Sequence, residues 1–174
     1  MKSIGLYLLA ASFFALPLQA QLTKPEATST EQLMNSVQER NEHRAQSILH
    51  SYPIRNVGPV TMSGRVSDIA VHPDTSRIFY VGFGSAGIFK TINGGATMQP
   101  VFDNQGGAMG IGDIAISNSN PNILWAGTGE NNSSRSTYAG TGVYKTTDAG
   151  NTWILMGLEG TQHIGRIIIH PENP

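Results

Sequence analysis

The residues best suited to chemistry lie close together between Glu130 and Tyr138. This stretch contains a carboxylate (Glu130), two amides (Asn131 and Asn132), a guanidinium (Arg135) and a phenol (Tyr138). Such a set can bind sugar hydroxyl groups, or a peptide carboxylate through Arg135, because a guanidinium donates paired hydrogen bonds to a carboxylate. The alternative is a polar loop that bonds to itself, with Arg135 paired to Glu130.

Three acidic residues, Asp68, Asp113 and Glu130, are the candidates for acid–base chemistry on a glycan. Hydrolysis of a glycosidic bond needs two carboxyl groups about 5–5.5 Å or about 6.5–9.5 Å apart, and a sequence does not give these separations. Aspartates at repeated strand positions more often form structural pairs, and we expect Asp113 to pair with Arg166. The three acids are therefore weak candidates, and the catalytic residues stay unknown at this point.

The overall composition excludes several classes of protein. The chain of 174 residues has no cysteine, which rules out disulfides and thiolate chemistry. Its formal net charge is −1, so nothing in the overall charge suits it to neutralise a nucleic-acid backbone, and we expect no nucleic-acid partner. The five histidines show no metal-ligand spacing, and we expect neither a metal nor a cofactor.

Residues 1–20 have the pattern of a signal peptide. Lys2 provides a positive start, residues 4–18 form an apolar run, and Ala20 is a small residue at its end. The pattern predicts a secreted or periplasmic protein that has no membrane contact after the segment is removed. A retained N-terminal anchor is the alternative.

Residues 21–51 contain no glycine and are predicted to form a helical leader or spacer. A helix is expected from Ser29 to about His50, because Ser29 can cap it and Gln32 completes a capping-box spacing. Pro53 then excludes helix at the residue before it.

From Tyr52 onwards the sequence repeats itself. Val66–Val71 (VSDIAV), Ile111–Ile116 (IGDIAI) and residues 164–169 (IGRIII) are copies of one β-prone run. In the first two copies, similar later runs follow, separated by Gly, Asn, Asp and Pro. Four short strands in a unit of about 45 residues are typical of propeller blades. The sequence therefore predicts an all-β fold over residues 52–174: a partial β-propeller with two four-stranded blades plus the first strand of a third.

The repeat also brings residues of different copies to equivalent positions. Asp68, Asp113 and Arg166 share one position, and Arg65 and His163 share another. The second copy has about ten extra residues, at 130–140, between its second and third runs. Loops on a stable scaffold often carry function, which makes this insert the best candidate site.

The turn after the third run of the second copy follows the Asp-box pattern S/T-x-D-x-G-x-T-W. Its members are Thr146, Asp148, Gly150, Thr152 and Trp153. The Asp can accept main-chain N–H groups across the turn, and the Trp can fill the space between strands. We interpret the turn as a structural hairpin staple. The first copy is degenerate, with Asn93 and Met98 in place of the Asp and the Trp.

Residues 52–174 resemble the BNR/Asp-box propellers related to sortilin. More narrowly, they look like the large secreted bacterial proteins labelled BNR-repeat glycosyl hydrolase. The segments that carry the resemblance are NVGPVTMSGRVSDIAV (56–71), PVFDNQ (100–105), WAGTGENNSSRS (125–136), GVYKTTDAGNTW (142–153) and HIGRIIIHP (163–171). The resemblance implies that the chain is an N-terminal fragment, with the rest of the propeller in a longer parent chain.

The resemblance also implies a location for the site. It places Arg65, His163 and Arg166 near the insert, together with Asp68 and Asp113, and it places the Asp-box turns on the opposite face. Related xyloglucanase-type propellers have an Asp where this sequence has Gly84, and this departure counts against their chemistry here. Sialidases share the Asp-box but need an arginine cluster that is not matched.

Three hypotheses about function follow. The first is a segment that binds a glycan or peptide ligand and acts as a scaffold within a larger exported protein. The second is part of a glycosyl hydrolase, an activity that only the family label implies. The third is a truncated product with no function of its own, which predicts an aggregated or partly unfolded chain.

Overall fold

The computed structural model describes residues 26, 28–52, 64–105, 107–132 and 137–174. The predicted signal peptide at residues 1–20 and the candidate ligand-binding residue Arg135 lie outside these ranges. The described residues form one helix and eight strands. These are α1 (Thr30–Gln46), β1 (Val66–Val71), β2 (Phe79–Phe83), β3 (Gly87–Thr91), β4 (Gln99–Pro100), β5 (Ile111–Ile116), β6 (Leu124–Thr128), β7 (Val143–Thr146) and β8 (Ile154–Gly157).

The helix α1 begins as the sequence predicts. Ser29 accepts a hydrogen bond from Gln32 N at 3.2 Å, and Gln32 Oε1 accepts one from Ser29 N at 2.9 Å. The helix ends at Gln46 rather than near His50, because Ser47 leaves the helical region with ψ 134°. No residue of α1 is buried. Within the described part of the chain, no helix has the length and hydrophobicity to cross a membrane.

The strands form two four-stranded antiparallel sheets, ordered β1-β2-β3-β4 and β5-β6-β7-β8. This confirms the predicted all-β fold with two blades, and we call the sheets the first and the second blade. Their inner strands have the same irregularity, between Val66 and Asp68 in β1 and between Ile111 and Asp113 in β5. The two copies of the sequence repeat therefore pair their first two strands in the same register.

The two blades pack face to face through large side chains over a glycine. Ile111 and Ile114 of β5 lie on Gly82 of β2, where an added Cβ would be 2.8 Å from Ile111 Cγ2. Phe102 contacts the rings of Tyr144 and Trp153 edge to face, each at 5.3 Å between centroids. The core thus lies between the blades rather than within either one.

Residues 164–169 repeat this packing against the second blade. Ile164 and Ile167 lie on Gly127, where an added Cβ would be 2.3 Å from Ile164 Cγ2. Ile164 N also donates a hydrogen bond to Thr128 O at 3.2 Å. The segment holds the position of the third inner strand, but it is not a strand, because no described segment forms a ladder with it.

The strands of each blade begin and end at two opposite sides of the sheet, and we call these two sides its edges. At one, which we call the loop edge, β1 and β5 begin and the loops between β2 and β3 and between β6 and β7 lie. At the other, the turn edge, lie the turns that join β1 to β2, β3 to β4, β5 to β6 and β7 to β8. The insert at 130–140 therefore belongs to the loop edge, and the Asp-box belongs to the turn edge.

Candidate functional site

The centre of the candidate site is an ion pair between Arg65 and Glu130. Both carboxylate oxygens of Glu130 accept hydrogen bonds from Arg65, one from Nε and one from Nη2. Glu130 is 0% exposed, whereas the Arg65 side chain is 43% exposed. The hydrogen bonds from Arg65 lower the pKa of Glu130, so this carboxylate is ionised at neutral pH. The sequence also suggested Arg135 as a partner of Glu130, and this pairing is not tested because Arg135 lies outside the described residues.

Gly84 makes room for this ion pair. An added Cβ at Gly84 would lie 2.8 Å from Cδ of Glu130, closer than such contacts occur. Gly84 N also donates a hydrogen bond to Arg65 O at 2.9 Å, so the start of β1 and the end of β2 are joined here. The carboxylate of Glu130 thus occupies the space that a side chain at position 84 would fill.

Several described residues of the insert are exposed, unlike Glu130. Asn131, Asn132 and Tyr138 all lie exposed on the loop edge. Glu130 N donates a hydrogen bond to Tyr138 O at 3.0 Å, which closes the insert, and Asn131 Nδ2 donates one to Gly165 O at 3.2 Å. Arg135 lies in the part of the insert outside the described residues.

Two predicted site residues from the third copy are also exposed. His163 is exposed, and after Arg65 it is a further group that lowers the pKa of Glu130. The side chain of Arg166 is 77% exposed, and its Nη1 lies 3.8 Å from Asp113 Oδ1. The structure therefore brings Arg65, Glu130 and His163 together, while Arg166 lies next to Asp113.

Asp68 and Asp113 link consecutive repeats. Asp68 Oδ2 accepts a hydrogen bond from Ile114 N at 2.9 Å, and Asp113 Oδ2 accepts one from Ile167 N at 2.7 Å. Asp113 is buried, and burial raises its pKa, although Ile167 N–H and Arg166 act in the opposite direction. Each aspartate thus holds the inner strand position of the next repeat.

The Asp-box lies away from this site, on the turn edge. Asp148 Oδ1 accepts hydrogen bonds from Thr152 N at 2.8 Å and Thr146 Oγ1 at 2.7 Å, and Asp148 Oδ2 accepts one from Thr152 Oγ1 at 2.6 Å. These bonds lower the pKa of Asp148 to about 2. Trp153 Nε1 donates to Val101 O at 2.9 Å, and Gly150 has φ 90°. The contacts connect the turn to itself and to the first blade.

The chemistry open to the loop edge follows from these contacts. It offers a fixed, partly exposed guanidinium, two exposed amides and an exposed phenol, all of which can form hydrogen bonds to a polar ligand. Among the described residues, no group of three or more His, Asp or Glu side chains could hold a metal ion.

The contact between Arg65 and Glu130 was not predicted from the sequence. The two residues are 65 positions apart and belong to different repeats. Two features of the sequence could have indicated the contact. Gly84 leaves a gap, and oppositely charged residues lie just before β1 (Arg65) and just after β6 (Glu130).

No family model matches the chain, and no curated protein is significantly similar to it. Solved structures do match parts of it. An ancestral GH74 enzyme aligns with 62% of this chain at 20% identity and a TM-score of 0.44. The GH74 enzyme of Niastella koreensis aligns with 52% at 22% identity and a TM-score of 0.41. The GH74 xyloglucanase from Xanthomonas campestris aligns with 52% at 19% identity and a TM-score of 0.41.

These alignments span a small part of the matched proteins. They cover 12% of the ancestral enzyme, 13% of the Niastella koreensis enzyme and 15% of the Xanthomonas campestris enzyme.

Proposed function

We propose that this chain belongs with the BNR/Asp-box propellers related to sortilin, and that it binds glycan and acts as a scaffold within a larger exported protein. The observation that carries the proposal is the Arg65–Glu130 pair at the loop edge. A buried carboxylate holds a guanidinium that is 43% exposed, so the cation is already in place before a ligand arrives.

The surroundings of Arg65 support a sugar as the ligand. Asn131, Asn132 and Tyr138 are exposed at the same edge. Amide groups can both donate to and accept from hydroxyl groups, and the phenol adds a flat apolar surface with a polar tip. The exposed part of a fixed guanidinium can bind sugar oxygens at little further cost in side-chain entropy.

Calorimetric titration of the purified chain with neutral and acidic oligosaccharides tests glycan binding. We expect at least one to bind, and Arg65→Gln to weaken its binding about tenfold or more, because a charged hydrogen bond is lost. Arg77→Gln is the matched control, since Arg77 is an exposed arginine on the turn edge.

A second variant separates lost binding from lost folding. Tyr138→Ala changes an exposed side chain and leaves the buried Glu130 paired. It should weaken binding while the thermal transition stays in place. The proposal is overturned if no oligosaccharide binds the folded chain, or if Arg65→Gln and Tyr138→Ala both bind as the unchanged chain does.

A glycoside hydrolase is the second candidate, and one observation favours it. The environments of two acids move their pKa values apart: Arg65 lowers that of Glu130, and burial raises that of Asp113. Divergent pKa values suit an acid and a base, provided that the two carboxyl groups lie about 5–9.5 Å apart. Asp113 would donate the proton and Glu130 would act as base or nucleophile.

The hydrolase is tested by turnover on the same oligosaccharides. Asp113→Asn and Glu130→Gln should each reduce kcat at least about a hundredfold, whereas Asp68→Asn, which makes the equivalent main-chain contact, should not. Binding without turnover across the panel would contradict the hydrolase and leave the binding function in place.

Export to the periplasm or beyond is part of the same proposal. It rests on the signal-peptide pattern of residues 1–20. The N-terminal residue of the mature protein tests it: cleavage after Ala20 gives a chain that starts at Gln21, whereas an intact Met1 in exported material would argue for a retained anchor.

A further inference from the structure

The turn between β3 and β4 contains the one asparagine of the chain that is directly followed by glycine, Asn93-Gly94. In such a pair the main-chain nitrogen of the glycine can attack the carbonyl carbon of the asparagine side chain. Glycine has no Cβ to hinder this approach. The turn therefore contains both partners of a spontaneous reaction that converts an amide into a carboxylate.

The reaction has two steps and consumes only water. A bond forms between Gly94 N and Cγ of Asn93, the bond from Cγ to Nδ2 breaks, and ammonia leaves with the proton of Gly94 N. Water then opens the cyclic imide at one of its two carbonyl carbons. Opening at Cγ gives aspartate, whereas opening at the main-chain carbonyl carbon gives isoaspartate.

Three hydrogen bonds hold the Asn93 carboxamide within the folded turn. Oδ1 accepts one from Thr97 N at 2.9 Å and one from Thr91 Oγ1 at 3.0 Å, and Nδ2 donates one to Thr97 Oγ1 at 2.9 Å. Because both ends of the carboxamide are bound, it can turn towards Gly94 N only if these bonds break.

The attacking nitrogen is held as well. Gly94 N donates a hydrogen bond at 2.9 Å to Arg77 O, which lies in the turn between β1 and β2. This bond keeps the proton on the nitrogen and fixes the peptide plane. Gly94 itself is open to solvent, since a Cβ added there would meet nothing within 4 Å. Protection of the pair thus depends on hydrogen bonds and not on burial.

We propose that Asn93 is a site of spontaneous deamidation that the folded turn protects and that becomes reactive when the turn between β3 and β4 opens. The two products fit the turn differently. Asp148 shows that a carboxylate makes the equivalent bonds in the second blade. Isoaspartate instead lengthens the main chain by one carbon before Gly94, which displaces Gly94 N from Arg77 O. The proposal does not depend on glycan binding at the loop edge.

Peptide mapping by mass spectrometry measures the reaction at Asn93 in the full chain, kept in mildly alkaline buffer with and without unfolding urea. We expect the folded chain to react at least about tenfold more slowly than the chain in urea, because only the opened turn reacts. Equal rates in the two buffers, or no reaction in urea, would overturn the proposal.

Two variants of Thr97, an exposed residue, test the hold on the amide. Thr97→Val keeps the shape of the side chain and loses the acceptor of Asn93 Nδ2, whereas Thr97→Ser keeps that acceptor. We expect Thr97→Val to react several-fold faster in the folded state, Thr97→Ser to react as the unchanged chain does, and all three to react alike in urea. Equal rates for the two folded variants would overturn the protection by the turn.

Thr152→Val is the control for a general loss of stability. It removes the matching hydroxyl of the second turn, which donates to Asp148. We expect it to leave the rate at Asn93 unchanged. If it accelerates the reaction as much as Thr97→Val does, unfolding of the whole chain controls the rate, and opening of the first turn does not.

Refolding from urea after partial reaction tests the products. Protease is added to the refolded chains, and chromatography of the Asn93 peptide separates aspartate from isoaspartate. We expect the resistant chains to contain aspartate and the cleaved chains to be enriched in isoaspartate. Equal resistance of the two products would contradict the difference in fit.

Discussion

Asn93 and Asp148 occupy the same position in the turns of the two repeats, and they make the same contacts. Asn93 Oδ1 accepts hydrogen bonds from Thr97 N at 2.9 Å and Thr91 Oγ1 at 3.0 Å. Asp148 Oδ1 accepts from the matching atoms of its own turn. The turn therefore needs an acceptor oxygen at this position, which either residue provides. The negative charge of Asp148 makes the stability of its turn depend on pH as well.

Variants of Asp148 separate the acceptor from the charge. Asp148→Ala should lower the free energy of unfolding by about 1–2 kcal/mol, because the turn loses its acceptor. Asp148→Asn should cost much less at pH 7, since Asn93 makes the same bonds. Urea unfolding of both variants measures the difference, and equal losses would contradict the role of the acceptor.

The charge of Asp148 affects how the free energy of unfolding depends on pH in acid. Its folded pKa of about 2 lies below the ordinary 3.8, so its contribution is complete above pH 3.8 and is lost as pH falls towards 2. Asp148→Asn should flatten the stability curve in this window. An unchanged slope between pH 4 and pH 2 would contradict the assignment.

Asp113 has the opposite pH behaviour from Asp148. Burial raises its pKa, so the charged form is disfavoured in the fold and stability from this group increases as pH falls. Asp113→Ala should cost about 1–3 kcal/mol by leaving Ile167 N without its acceptor. Asp113→Asn should be tolerated at pH 7, because the amide oxygen can accept the bond. Urea unfolding at pH 7 compares the two, and equal losses would show that the charge is needed.

At the scale of elements, the contact between blades depends on a glycine in the second strand. A side chain at Gly82 would meet Ile111 and Ile114 within 3 Å. Gly82→Val should therefore destabilise the chain by about 1–3 kcal/mol or more through overpacking. Thermal unfolding measures the loss.

Gly160 provides the control for Gly82. An added Cβ there meets nothing within 4 Å. Gly160→Val should leave the thermal midpoint nearly unchanged. If the two variants melt alike, the blades do not depend on the close approach at Gly82.

Much of the fold could be predicted because each repeat has its own turn residues and strand patterns. The Gly, Asn and Asp turns set the strand lengths, and the copies at Val66–Val71 and Ile111–Ile116 set the equivalence of the two blades. The N-terminus of α1 could be predicted from Ser29 and Gln32, because a capping box is a local contact. The end of α1 had no comparable local signal.

The candidate site could be predicted only as a set of residues. The insert and the start of the inner strands were expected to lie together, and they share the loop edge. The pairing of Arg65 with Glu130 could not be predicted, because it depends on how two blades stack and on the gap at Gly84. The roles of Asp68 and Asp113 depend on the same stacking, since each binds an amide of the next repeat.

At the scale of the whole molecule, the two edges differ in the contacts that they make. The turn edge joins the blades through the Asp-box and its contacts with Tyr80 and Lys90. The loop edge carries exposed polar groups around a fixed cation. The helix α1 touches the blades at a few points, such as Arg44 Nη1 to Asn104 Oδ1 at 2.6 Å, and contributes no buried residue. The Asp-box and the residues proposed to bind a ligand thus lie at opposite edges of one stack.

The most direct test of this account is an NMR titration of the ¹⁵N-labelled chain with the oligosaccharide that binds best in calorimetry. We expect amide shifts at the loop edge, in Gly84, Glu130, Asn131 and Tyr138, and little change at Asp148 and Thr152. Shifts confined to the turn edge, or no shifts at saturating sugar, would contradict the assignment of glycan binding to the loop edge.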